Sequence, residues 1–456
     1  MYSILFALGV YLAIIAVITY YTSKKESIGE FLIAGRSLDW KEIGLSNFAT
    51  LISSYNVVIG ITFAYLFGIY FFLAFLGAGL AYIFLYHIAK QFKEDSKKQK
   101  FLTIVDYFAY TFGSKVSAVV NGILLFVLFF FITLQIKVNT LVFSNLLSWN
   151  IYTAGLFVTL VVLAYIYVGG FKTVVKTDIF QGVLMFAIVG LAIFVGGSGI
   201  TFGNLQNNIL DKAILYGALA IMVIQFLTLF AQPEIWQRIY AAKNIQNLKY
   251  GLIFSFILLI LFFIPIVIIG LSARYGALIT NPSNAFYEIL SFASPKWFFP
   301  ILAVSLFAAF MSSLDSSLFA ISSQLAKNNL FKKNIPDEYT IKKHIRYWVF
   351  IVLTFALVTS FLLGDLLTSV FQLISITTII TAVFSISYIL KPSKKEVLIG
   401  LLVGITVFVY TTFSGVITQE PITALYPSIV VVIFMLLQKI TVLTFSKQKL
   451  NRKKQK

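Results

Sequence analysis

The chain has 456 residues, of which 59% are hydrophobic and 11% charged, with a mean hydropathy of +0.93 and a formal net charge of +18. A soluble domain of this size would carry roughly a quarter charged residues, whereas here apolar stretches of about 20 residues, each able to cross a hydrocarbon layer of about 30 Å as a helix, recur from end to end. There is no strand-like alternation of the kind an outer-membrane barrel needs, so the chain reads as an all-α, polytopic membrane protein.

Taken in order, 13 hydrophobic segments can be drawn, at 3–21, 43–67, 69–92, 115–142, 152–169, 174–199, 213–236, 247–272, 297–325, 346–363, 366–390, 396–414 and 425–445. The first lacks a basic leader or a small-residue cleavage site and reads as a retained span, not a signal peptide. An odd number of crossings puts the termini on opposite sides. With the N-terminus outside, the cytoplasmic loops and tail hold about 30 of the 35 Lys and Arg residues, as the positive-inside rule expects. The positive charge is therefore a topology signal facing anionic lipid, not a nucleic-acid footprint, and the NRKKQK tail reads as a solvated anchor. Between segments, Thr103 to Phe112 reads as an interfacial helix. No stretch is long enough for a soluble catalytic domain. With no cysteine, and only His87 and His344 at cytoplasmic helix ends, thiol chemistry and histidine metal sites are excluded; no nucleophile–base pair points to an enzyme.

Polar clusters and helix breakers inside a span mark places where the backbone lines a cavity. Segment two carries Thr50, Ser53, Ser54, Tyr55 and Asn56, then Gly60 and Thr62. Segment seven carries Gln225 and Thr228, then Gln232, Pro233 and Glu234. Segment nine packs Ser312, Ser313, Asp315, Ser316 and Ser317 together, and segment eleven carries Ser369, Gln372, Ser375, Thr377, Thr378 and Thr381. Segments two and seven lie five spans apart, as in a transporter of two inverted repeats, although Ser and Thr also pack ordinary membrane helices. At about 100° per residue, Ala309, Ser312, Ser313, Ser316 and Ala320 share one face, with Asp315 at its edge. A buried carboxylate must be paired or protonated. Nothing basic is expected at that depth, so a hard cation held by oxygen ligands would account for the cluster. Asp178, at the start of segment six, reads equally as a helix N-terminal acid or as an ion-coupling group. Glu234, beside Gln237 and Arg238, reads as half of a cytoplasmic-end ion pair.

Five motifs stand in order: FLIAGRSLDW at 31–40, FATLISSYNVVIG at 48–60, YVGGFKTVVKTDIFQG at 167–182, AQPEIWQRIYAAKN at 231–244 and AAFMSSLDSSLFAISS at 308–323. Together they resemble the sodium/solute symporter family, whose members carry proline, pantothenate, sialic acid, sugars or iodide. That resemblance implies a LeuT-like core of ten helices in two inverted repeats, at 43–199 and 200–390. One extra helix precedes the core (1–42), and two more, with the basic tail, follow it (391–456). It implies sodium-coupled symport of a small organic solute across a prokaryotic plasma membrane, with Na+ as coupling ion. It also implies a sodium site at Ala49, Ile52, Ala309, Ser312 and Ser313, and a second cation site at Asp178, Asp315 and Ser316 (with Ser312 shared). By motif offset the solute contacts are Asn56, Gln135, Gln225, Thr228 and Ser375. Tyr55 is either an aromatic gate or lipid-facing. Lys137 lies about 33 Å along a helix from Lys115 and is expected to snorkel at the outer interface. Without a cationic group in the cavity, a neutral or zwitterionic solute is favoured over a dianion. Two rivals remain at this stage: a proton-coupled carrier titrating Asp315 or Asp178, and a solute sensor that does not transport. The solute, the ion stoichiometry and the oligomeric state are not legible.

Overall fold

The structure, a computed structural model, describes residues 2–23, 28–99, 101, 103–166, 170–190, 192, 211–276, 286, 288–289, 295–330, 338–418 and 420–454. Gly169 of the glycine pair, most of 191–199 in segment six, the 199/200 repeat boundary, loop residues 331–337 and the last two residues of the tail lie outside them.

The described residues form an all-helical protein. Helix α1 (Tyr2–Ser23) buries Ile4, Leu8, Tyr11, Ile15 and Thr19 and exposes Phe6, Val10, Ile14 and Val17. That helical spacing lays one stripe on the protein and turns an equally apolar face outward, as a lipid-facing helix does. A short α2 (Ile28–Ile33) leads to α3 (Trp40–Leu51), which starts at a capping box between Asp39 and Glu42. After α3 come α4 (Ser54–Phe67), α5 (Leu73–Gln99), α6 (Ile104–Phe112), α7 (Ser114–Leu147), α8 (Ile151–Ile166) and α9 (Phe171–Met185). The second half holds α10 (Lys212–Phe230), α11 (Pro233–Ala241), α12 (Ile245–Tyr275), α13 (Phe299–Leu330), α14 (Glu338–Leu362), α15 (Leu366–Leu390), α16 (Lys394–Phe413) and α17 (Tyr426–Lys454).

Among the described residues, eleven helical stretches are long and apolar enough to cross a membrane. The sequence segmentation expects thirteen, and the difference has a local cause. A 3₁₀ turn at Gly68–Phe72 joins α4 to α5 in one apolar run, Ser54–Lys90, and the apolar part of α8 is short, Ile151–Ala164. Helix α6 forms where the interfacial helix is expected, with a capping box between Thr103 and Asp106; it buries Ile104 and Phe108 and exposes Tyr110.

Helix α13 is the central post: 89% of its apolar window is enclosed by protein. It packs on α1, α3, α7, α9 and α14. Close backbone approaches hold the surrounding helices. A Cβ added at Gly77 of α5 would lie 2.1 Å from the Met222 carbonyl oxygen of α10, so only glycine allows that crossing.

Candidate ion and solute sites

Two helices are broken inside the protein. Between α3 and α4 the chain extends at Ile52 (φ −93°, ψ 105°) and Ser53 (φ −108°, ψ 161°), and the Ser53 hydroxyl caps α4 by accepting from the Asn56 backbone N–H at 3.1 Å. Between α10 and α11 the break falls at Ala231 and Gln232, where Pro233 takes the first helical position and cannot continue the hydrogen-bond ladder of α10. Breaking a helix frees carbonyls that need partners in an apolar setting. At the second break the Trp236 indole N–H donates to Phe230 O at 2.8 Å and the Thr381 hydroxyl to Leu227 O at 2.5 Å. At the first break, the Ser313 hydroxyl of α13 reaches Thr50 O at 2.9 Å and Ile52 O at 3.2 Å. A hydroxyl has one proton, so two carbonyls share it.

Of the five residues expected around sodium, Ile52 and Ser313 meet here. Ala49, Ile52, Ala309, Ser312 and Ser313 are all fully buried, the first two at the break of α3 and the others on the facing stripe of α13. The Ser312 hydroxyl sits beside the Asp178 carboxylate.

One layer toward α11 lies a buried ion pair. Arg238 Nη2 donates to Asp178 Oδ2 at 2.8 Å, and the two side chains are 1% and 0% exposed. The Ser46 hydroxyl donates to the same carboxylate oxygen at 2.6 Å and accepts from Arg238 Nε at 2.9 Å. Arg238 Nη2 also donates to Ser316 Oγ at 3.0 Å and to Thr50 Oγ1. The guanidinium stacks 5.6 Å from the centre of the Phe171 ring. One cation therefore ties α3, α9, α11 and α13 together. This corrects two expectations. A basic group does lie at the depth of the serine cluster, because α11 re-enters the protein and carries Arg238 with it. Arg238 pairs with Asp178, not with Glu234: it meets the latter only at the backbone oxygen one turn earlier, 3.0 Å away, while the Glu234 side chain takes the Ser317 hydroxyl. Asp315 is fully buried on the same helix.

A cavity of about 140 Å³ opens beside the two breaks. Asn56, Gln225 and Thr228 line it, with Tyr55, Gln232 and Glu234; Gln135 and Ser375 are buried outside the lining. The Asn139 side-chain amide donates to the Gln135 backbone oxygen at 2.8 Å and to the Ser54 hydroxyl at 2.7 Å, a link from α7 to the start of α4 that sequence spacing does not reveal. Tyr55 packs edge-on to Phe131 at 6.2 Å, as an aromatic wall of the cavity. Lys137 lies away from it and donates to Gly364 O at 2.9 Å and to Leu363 O, capping the end of α14.

A profile of the sodium:solute symporter family matches residues 31–404. The chain belongs to the sodium:solute symporter family. This symporter is 25% identical to the high-affinity proline transporter PutP of Bacillus subtilis (strain 168), over 70% of its own length and 73% of the relative's. It is 26% identical to the sodium/proline symporter of Escherichia coli (strain K12), over 74% and 73% of the two chains. With the sodium/pantothenate symporter of Haemophilus influenzae it shares 24% identity over 72% of each chain. Its fold matches a substrate-bound, outward-open Na+-coupled sialic acid symporter with a TM-score of 0.78 at 19% identity, covering 96% and 97% of the two chains. MhsT in complex with L-phenylalanine matches with a TM-score of 0.56 at 12% identity, covering 87% and 97%. The chain is thus a multi-pass plasma-membrane transporter with a LeuT-like fold, a small-molecule solute and Na+ as coupling ion; the named relatives are transporters, which points away from an enzyme.

Proposed function

We propose that the symporter works by alternating access around the broken helices, with sodium held by the carbonyls of Ala49, Ile52 and Ala309 and the hydroxyls of Ser312 and Ser313. The observation that carries this is the Ser313 hydroxyl bridging the Thr50 and Ile52 carbonyls. A cation in that place would take a lone pair of the Ile52 carbonyl directly and turn the Ser313 hydroxyl into one of its five oxygen ligands. Neutral oxygens suit a monovalent ion that must also leave. Sodium would then clamp the break of α3 to α13 and favour the form that receives solute. By linkage, solute must raise sodium affinity by the same factor.

In this reading the chain has thirteen spans. The core comprises two inverted repeats, with α3–α4 and α10–α11 as the equivalent broken helices; the N-terminus lies outside and the basic tail in the cytoplasm. The solute occupies the cavity beside Asn56, Gln225 and Thr228, with Gln135 and Ser375 as supporting residues behind its wall. The relatives transport proline and pantothenate, and a small organic solute of that scale is the expected cargo. A second cation would be held by Asp315 and Ser316 beside Asp178, whose charge is already matched by Arg238. Proteoliposome uptake across amino acids, vitamins, sugars and carboxylates, with and without a sodium gradient, tests the reading. Uptake indifferent to sodium for every transported solute would remove it.

A further inference from the structure

The solute cavity has one charged lining residue, Glu234; no Lys, Arg or His lines it among the described residues. The same cavity is lined by the aromatic rings of Tyr55, Phe63, Phe71, Phe131 and Phe263. Glu234 stands in the first turn of α11, 5% exposed, and its Oε1 accepts the Ser317 hydroxyl. It makes no ion pair among the described residues. The guanidinium one turn away is salt-bridged to Asp178 at 2.8 Å; it hydrogen-bonds Glu234 at the backbone oxygen and lies within electrostatic reach of the carboxylate without contacting it. A carboxylate enclosed at membrane depth is costly unless a positive group faces it, and aromatic faces attract the same kind of group.

We propose that Glu234 is a specificity-determining residue of the solute cavity and holds a positively charged nitrogen of the solute. The transported class is then small solutes bearing an ammonium or quaternary nitrogen, whether net neutral or cationic. A solute with only anionic groups would meet like charge at Glu234 and no basic partner. This assignment rests on the symport reading above. A first-turn acid also interacts favourably with the positive end of its own helix, and that purely structural role predicts no dependence on ligand charge.

The test uses the full-length protein in detergent and NaCl, titrated by thermal shift with matched pairs in which an uncharged atom replaces the cationic nitrogen. The pairs are L-proline with tetrahydrofuroic acid, choline with its carbon isostere, and glycine betaine with tert-butylacetate. In at least one pair the nitrogen member should bind about tenfold more tightly or better, a difference of about 1.4 kcal/mol. Glu234→Gln should abolish that contrast, and Glu234→Asp, which shortens the side chain but keeps the charge, should retain part of it. Equal binding within every pair, a contrast that survives in Glu234→Gln, or no binding by any nitrogen member would overturn the assignment. If Glu234→Gln does not fold, an unchanged contrast in Glu234→Asp, with no loss of affinity for the nitrogen member, overturns it instead. Sodium-over-potassium stabilisation of the solute-free wild type is read in the same assay. Its absence would remove the symport reading, whereas a normal sodium effect with equal binding in every pair would remove the Glu234 assignment alone.

Discussion

Arg238 of α11 and Asp178 of α9 meet 2.8 Å apart with both side chains enclosed, and Ser46, Thr50 and Ser316 complete the network from two further helices. The pair joins the second half of one broken helix to the segment beside Ser312 of α13. Any inward opening that moves α11 away from α9 must separate these charges or carry them together.

Removing one partner leaves an uncompensated buried charge, which costs about 3–5 kcal/mol in proteins where it has been measured. Arg238→Gln and Asp178→Asn should each lower the thermal midpoint in detergent substantially. The double variant Asp178→Asn/Arg238→Gln should be less damaged than the sum of the two. Additive losses in that double-mutant cycle would mean the two side chains are not energetically coupled.

Ser313→Ala removes the hydroxyl that spans Thr50 O and Ile52 O and leaves two buried carbonyls short of a donor, a cost of about 1–3 kcal/mol. Ser312→Ala removes the neighbouring hydroxyl. With a sodium ligand lost, each variant should need roughly tenfold more sodium for half-maximal uptake, with membrane expression near wild type. Unchanged sodium dependence in both would sink the site assignment.

Gly77→Ala places a methyl 2.1 Å from the Met222 carbonyl oxygen, a backbone atom that cannot swing aside. The α5–α10 crossing must open, so a loss of about 1–3 kcal/mol in thermal or denaturant stability is expected. Wild-type stability in this variant would show that the two helices do not approach so closely.

Lys137 caps α14 and stands outside the cavity lining. Lys137→Gln should cost only about 0.3–1 kcal/mol of stability and leave solute affinity within twofold of wild type. A large loss of affinity for acidic solutes would instead make Lys137 a binding group.

Much of this protein is decided locally and was therefore legible in its residues. Apolar runs long enough to span a bilayer, the distribution of Lys and Arg, and Pro233 after a glutamine inside a span each act over one or two turns of chain. So does the stripe of Ala309, Ser312 and Ser313, whose shared face follows from helical geometry alone. The motif order was enough to point to the family. The two segments read at 43–67 and 69–92 meet at the 3₁₀ turn Gly68–Phe72, so by length and composition alone Ser54–Lys90 forms a single apolar run.

What required the tertiary structure was the pairing of charges across distant segments. Arg238 and Glu234 are one turn apart, so along the chain they look like partners. Only the re-entry of α11 shows that the guanidinium turns instead to Asp178, sixty positions away in sequence. A buried charge takes the partner that the packing of several helices presents to it, and no periodicity within one helix encodes that choice. By itself, then, the sequence determined the class, the breaks and the serine face. The packing decided which acid Arg238 pairs with and placed Glu234 in the lining of the cavity.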